Sequence, residues 1–508
     1  MPALLGENRS SRLAGSYRDP SGYVFAREGR IFRALDQTAA AALQGLEAHG
    51  ALSALLDDGL LVATRFVADG DLLAELRAEH ADGAAFLEHE RLPTIAFPAE
   101  WSISMLADAA ALTIDLQLRL LEQGCGLKDA TAYNVQFRGS RPTFIDAASI
   151  ERAPRRDVWH ALGQFHRCFT YPLLLCRHHA WEPRDCFSSQ PEGRTPEQTA
   201  RIVGRWGLLR PRNWLDLSLP LLLAGRAKPS RSAVRSGGDS EAFRAPRLCQ
   251  PCEVDVASST DEAPSGNVAA QRWNLLRLRK KVLRLAAGYQ PKSAWSDYAA
   301  TCSYDEAAAA AKRDFVADCL RESRPKQVLD LGCNTGEYSL LAATHAEQVI
   351  AIDSDHDSVE RFYRRLRDEA APQRTSPAAI TPLVVDLLAP TPAVGFRNAE
   401  RPAFLSRVQP DCVLALAVAH HLLVRGNLTP AMLRDQLFDL TGSGLVLEFV
   451  PPRDPMFLGL LRDRAVGELH RLTLEEFRRT FAERFTVLRE ASLPHSCRTL
   501  LWLRKGSD

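Results

Sequence analysis

The run Gln327-Val-Leu-Asp330-Leu passes through Gly332-Cys333-Asn334-Thr-Gly336 into a helix-compatible stretch. A carboxylate at a strand end, then a turn with two glycines, leaves backbone room for a ligand to approach closely. Two more acids close aliphatic runs downstream: Asp353 after Gln348-Val-Ile-Ala-Ile and Asp386 after Thr381-Pro-Leu-Val-Val. Acids at the carboxyl ends of parallel strands gather where open α/β sheets bind their ligands. Val418-Ala-His420-His421-Leu422 adds two imidazoles, a side chain suited to taking a proton from a hydroxyl near neutral pH. Glu448 and Asp454 are second choices for that base. A separate constellation lies early in the chain: Asp129-x4-Asn134, then a hairpin turning at Arg138-Gly-Ser-Arg-Pro142 that delivers Asp146. Two carboxylates and an amide in that order suit metal-assisted phosphate chemistry.

These groups need elements to hold them. From Lys326 onward strand and helix patterns alternate with short links, which predicts a doubly wound, mostly parallel sheet. Its strands are expected at 327–331, 348–353, 381–386, 411–417 and 444–449, with an antiparallel pair at 486–489 and 498–504. Thr473-Leu-Glu-Glu476 reads as a capping box for a late helix. The N-terminal half predicts an α+β module: a hairpin over 23–33 turning at Glu28-Gly29, helices within 38–61 and 101–123, and a largely buried helix over 159–176. Residues 226–268 are rich in Pro, Ser and Gly and predict a linker or mobile loop. The expected organisation is therefore 1–225, a linker at 226–268, a connecting segment at 269–325, and the sheet domain at 326–508.

Bulk properties narrow the rest. A chain of 508 residues exceeds one ordinary core. With 46% hydrophobic residues, 25% charged residues and net charge +1, it has no general pull toward nucleic acid or anionic membrane. Eleven scattered cysteines predict free thiols in a reducing, cytoplasmic setting. Cys249-Gln-Pro-Cys252 lacks a second Cys/His pair, so no metal site is expected. The helix at 271–285 is basic and amphipathic; membrane-surface contact is one reading, and a connecting helix with a solvated basic face is preferred.

The 327–336 stretch resembles motif I of the class I S-adenosylmethionine (SAM) methyltransferases. A dinucleotide fingerprint Gly-x-Gly-x-x-Gly holds a pyrophosphate, whereas Asn334 stands here where a middle glycine would sit. The resemblance implies a seven-stranded Rossmann-like methyltransferase sheet with SAM as cofactor. It implies that Asp330 and the loop Gly332, Cys333, Asn334 and Gly336 face the methionine end. Asp353, with Ser354, would take the ribose, and Asp386, with Leu387, the adenine. Tyr298 or Tyr304 would close over the cofactor. The Asn/Asp-Pro-Pro-Tyr/Phe motif of enzymes that methylate bases or glutamine is missing after strand four, which points away from nucleic acid. His420-His421-Leu422 there looks like small-molecule methyltransferases. A small-molecule or glycan-type acceptor with a hydroxyl is what the resemblance implies.

The loop carrying Asp129, Asn134 and Asp146 resembles the catalytic loop of kinase-like phosphotransferases, which implies Mg2+ and ATP in that half. The departures are Leu127-Lys128 for His-Arg, Ala147-Ala148 for Phe-Gly, no glycine-rich loop, and no lysine in residues 1–127. Only Arg33 could replace the strand lysine, and its planar fork reaches differently, so an atypical or inactive kinase-like module is expected. As a whole the chain resembles bacterial two-part proteins that join such a module to a class I methyltransferase, some of them labelled as nodulation-type. A bifunctional methyltransferase–phosphotransferase and a regulatory binding protein are the alternatives.

Overall fold

The computed structural model describes residues 10–16, 19–153, 155–226, 267–292, 305–369, 379–461 and 469–506. Tyr298, Tyr304, Cys249 and Cys252 lie outside them.

In the N-terminal half, strands β1 (Ser11–Arg12), β2 (Gly22–Arg27), β3 (Arg30–Leu35), β4 (Thr64–Phe66) and β5 (Ala85–His89) form an antiparallel sheet in the order β1-β2-β3-β5-β4. Its expected hairpin turns at Glu28 and Gly29, both at positive φ, as a two-residue hairpin turn requires. Helix Ile103–Glu122 follows and is buried almost all round, the mark of a core helix. Strands β6 (Cys125–Leu127) and β9 (Ile150–Arg152) pair beside it, and β7 (Val135–Arg138) pairs with β8 (Arg141–Phe144). The helical run over 162–179 is interrupted by a π-helical turn, His166–Thr170.

In the C-terminal half, β10 (Gln327–Leu331), β11 (Gln348–Asp353), β12 (Ala379–Val384), β13 (Cys412–Ala415), β14 (Gly444–Phe449), β15 (Phe485–Ser492) and β16 (Thr499–Lys505) form one sheet. The order is β12-β11-β10-β13-β14-β16-β15, parallel through β14 and antiparallel at β16 and β15. The chain therefore crosses over between β12 and β13, on either side of β10, and leaves a crevice at the carboxyl end of β10. Expected and observed strands agree in place, and β15 runs longer than patterning shows because a bulge between Val487 and Arg489 shifts its alternation.

One apolar cluster runs unbroken from helix Ile103–Glu122 to one face of this sheet. Helix Val268–Ala287 joins that core through Leu275, Leu278, Val282 and Leu285. The opposite face is covered by helix Glu306–Ser323. Polar contacts tie the halves at helix His356–Glu369, which follows Asp353. The Ile103 N–H donates to His356 Nε2 (3.2 Å), and Ser104 donates from N and Oγ to Glu360 (3.0 and 2.5 Å). Tyr363 Oη donates to Asp108 (2.8 Å), and Arg364 reaches the carbonyls of Ala286 and Tyr289 (2.9 and 3.1 Å). The helix beside the ligand crevice is thus held by the N-terminal half.

Candidate functional site

A cavity of about 400 Å3 opens at the carboxyl ends of β10 to β13, within the range of small-molecule sites. Its floor is the turn after β10. The N–H groups of Gly332 and Cys333 both donate to the Ile352 carbonyl (2.9 and 3.0 Å), pinning the turn to β11. Asn334 has φ +49, a left-handed conformation that asparagine tolerates better than most residues. This is why the middle position dispenses with glycine. Gly336, at φ +88, packs so tightly on Phe362 that a Cβ would lie 2.1 Å from its ring. Phe362 belongs to the helix that the N-terminal half grips, so loop and interface share one support. Gly336→Ala should cost about 3 kcal/mol from left-handed strain plus overpacking. Thermal or urea unfolding reads this loss, and Phe362→Leu should restore part of it.

Asp330, Asp353 and Asp386 all line this cavity, with Gly332, Cys333, Asn334, Ser354 and Leu387; Gly336 supports it from beneath. Asp353 accepts the Asn334 N–H on Oδ2 and the Asp355 N–H on Oδ1, each at 2.9 Å. Burial raises its pKa, and those amides oppose the rise. Asp330 is fully enclosed and accepts the Ser339 hydroxyl at 2.6 Å. Burial, above all, raises its pKa to about 7. Such a carboxyl stabilises the folded state fully when protonated, below its ordinary range. That contribution is lost as pH rises through about 7. A cation bound beside it reverses the preference, favouring the ionised form.

The four candidate bases separate. His421 lines the cavity; burial, then Arg425 and Arg498, lower its pKa to about 4, so the ring is neutral at pH 7. His420 is buried behind it, stacked 5.9 Å from Phe457, and both ring nitrogens lack a hydrogen-bond partner among the described residues. Glu448 is fully buried away from the cavity lining, with its Oε2 2.7 Å from Lys312 Nζ and its Oε1 3.5 Å from Arg498. Asp454 pairs with Arg498 Nε at 2.8 Å. Two cations hold Glu448, so in this arrangement it anchors charge rather than facing an acceptor.

Patterning missed Lys312 and Arg425, which line the cavity. Arg425 stands one helical turn after His421, a spacing that would have flagged it. Lys312 sits in an alanine-rich helix with no motif to mark it. Ala417, also in the wall, has φ +51, strained backbone of a kind that clusters at functional sites.

Across its length the chain is 33% identical to nodulation protein NoeA of Rhizobium meliloti (strain 1021), over 505 residues covering 97% of this chain and 96% of that one. The chain belongs to the NoeA family. No family model matches it. Two solved structures overlay a smaller share, each with TM-score 0.29. The N-methyltransferase NodS from Bradyrhizobium japonicum is 14% identical and covers 40% of this chain and 99% of its own. The magnesium protoporphyrin IX methyltransferase ChlM from Synechocystis is 19% identical and covers 39% and 84%. The fold rests on the strand order itself.

In this NoeA-family chain the early constellation also assembles. Asn134 Nδ2 donates to Asp146 (3.2 Å), and burial, then the Asp146 charge, raise the Asp129 pKa. Arg33, on β3, sets its guanidinium 2.8 Å from Asp146 and 3.4 Å from Asp19, while Lys128 reaches Asp19 at 3.1 Å. A side-chain cation thus stands at Asp146, where Mg2+ was expected. Among the described residues no group of three or more His, Cys, Asp or Glu is arranged to hold a metal ion. The loop over 394–401 turns toward the N-terminal half, with Arg401 3.8 Å over the Tyr133 ring.

Proposed function

We propose that this protein is a SAM-dependent methyltransferase acting on a hydroxyl of a small-molecule or glycan-type acceptor. The observation that carries this reading is the cavity in which Asp330, Asp353 and Asp386 meet the Gly332–Gly336 turn. The residues fit the cofactor. A pocket walled by acids suits a ligand bearing an ammonium and a sulfonium, and it would repel a pyrophosphate. Asp353 has carboxylate lone pairs for two ribose hydroxyls beyond its two amide bonds, and Asp386 closes the far end. SAM supplies, when bound, a methyl group activated by its sulfonium.

The protein's own part is to align and to exclude water. Leu416 and Val418 provide apolar wall next to the acids. We assign the acceptor's proton to His421, which lines the cavity as a neutral ring, and burial with Arg425 and Arg498 lowers its basicity. The N-terminal half holds the acceptor or gates its access, since it grips the helix behind Asp353. The family relative is a nodulation protein, and a glycan-type acceptor suits that setting.

The test is calorimetry with SAM, followed by labelling of a source-cell extract with methyl-labelled SAM. Binding in the micromolar range and a methylated product are expected. Wild-type protein that takes up no SAM would overturn the reading. His421→Ala should lower kcat while leaving SAM affinity intact. A further expectation concerns pH. Because bound cation favours ionised Asp330, SAM affinity should rise with pH up to about 7, by at most about tenfold per unit, and then level. Calorimetry over this range with Asp330→Asn should give a flat profile.

A further inference from the structure

Half of the large apolar side chains left exposed among the described residues crowd into two segments. Trp206 (84% exposed), Leu209, Trp214, Leu215, Leu222 and Leu223 lie within 206–223. Trp273 (63%) and Leu276 lie on helix Val268–Ala287. A tryptophan so open is uncommon, and a contiguous apolar patch on a folded protein usually marks an interaction surface.

The two segments are stapled together. Asp216 receives Arg277 (2.5 and 3.0 Å) and Lys281 (2.6 Å), and Lys281 also donates to the Arg212 carbonyl (2.7 Å). Helix Val268–Ala287 buries Leu275, Leu278, Val282 and Leu285 against the core. Its opposite side carries Trp273, Leu276, Lys280 and Arg284, spaced i, i+3, i+7 and i+11, and all four are exposed. These spacings fall on one stripe.

Charge on this face leans basic. Residues 201–226 and 268–287 together contain eleven Lys and Arg and a single acid, Asp216; Arg277 and Lys281 pair with Asp216, Arg272 with Glu122 and Arg279 with Asp115, while Lys280 and Arg284 stand on the exposed stripe. The whole chain carries only +1, so the excess is local. Burial, then the neighbouring Arg210 and Arg177, lower the pKa of Arg212, as expected where cations crowd. A second copy of this chain would bring the same cations and repel. Indoles and leucines set among Arg210, Arg212, Lys280 and Arg284 instead match the boundary of an anionic bilayer, where tryptophan sits at headgroup depth and basic side chains meet phosphate. No helix of the described residues is long and apolar enough to cross a membrane, so the contact is peripheral.

We propose that the face formed by 206–223 and the Trp273–Arg284 stripe docks on a membrane surface rich in anionic phospholipid. The full-length protein should be sedimented with phosphatidylcholine vesicles, with and without phosphatidylglycerol. Binding is expected only with phosphatidylglycerol and should fade at high salt. Lys280→Gln with Arg284→Gln should weaken it about 30-fold, taking about 1 kcal/mol per charge near the surface. Trp206→Ser with Trp273→Ser should weaken it about tenfold or more. Melting temperature should be unchanged in both, showing that they fold. Equal binding to the two vesicle types, or full-strength binding by both double variants, overturns the proposal. So does a wild-type dimer that the tryptophan variant loses without any vesicle binding, since this assigns the face to a second copy.

Discussion

Asp353→Ala is expected to weaken SAM binding at least about 100-fold, read by calorimetry at pH 8. Two effects add. In the proposed reading the carboxylate takes the ribose hydroxyls, and hydrogen bonds to a charged partner are worth about 1.5–3 kcal/mol each. Its Oδ2 also accepts the Asn334 N–H at 2.9 Å, so the variant loses an anchor of the loop at its left-handed residue. Asp353→Asn should fall between, keeping an acceptor oxygen while losing the charge. Circular dichroism should show the fold intact, because β11 is held by register with β10 and β12 along its whole length. Full-strength binding by the alanine variant would remove Asp353 from the cofactor site and with it most of the case for SAM.

Arg498→Met is expected to destabilise the protein by about 3–5 kcal/mol in urea unfolding, the cost of breaking a buried ion pair by removing one partner. Arg498 is fully buried, bonds Asp454 through Nε (2.8 Å) and Nη2 (3.1 Å), and lies 3.5 Å from Glu448. Without it Asp454 loses its cation, and Glu448 keeps Lys312 at 2.7 Å. Burial raises the Asp454 pKa, but Arg498 outweighs it and the net shift is downward. A depressed carboxylate contributes stability above its ordinary value of about 4, and this is lost as pH falls through the folded value. The gap between wild type and variant should therefore narrow in acid. A loss below about 1 kcal/mol at pH 7 would show that the network relaxes without Arg498. The charge of Arg498 also helps keep His420 and His421 unprotonated, so surviving variant should show an altered pH profile of activity.

Legibility followed the range of the interactions. The strands of the C-terminal sheet and the loop after β10 were readable because hydrophobic alternation and glycine placement are local signals. The cavity residues Asp330, Asp353 and Asp386 were readable for the same reason, each closing an apolar run. Whether His420 or His421 faces the cavity was not, since adjacent residues on a helix differ by about 100° and only packing against Phe457 decides which turns inward. Glu448 looked available at the end of β14; the cations that hold it come from residues 136 positions earlier and 50 later.

The same division holds for the N-terminal half. Spacing alone brought Asp129, Asn134 and Asp146 together, but the meeting of Arg33 with Asp146 depends on how a distant hairpin packs over that loop. Likewise the amphipathic pattern of 268–287 announced a helix with a buried side, while its second face became a surface only through the Asp216 staple. By itself the sequence determined the elements, their order and the acids at strand ends, because backbone preference and apolar periodicity act within a few residues. Only the tertiary structure decided which charged groups face open space and which neutralise one another, because desolvation and ion pairing depend on partners far apart in the chain.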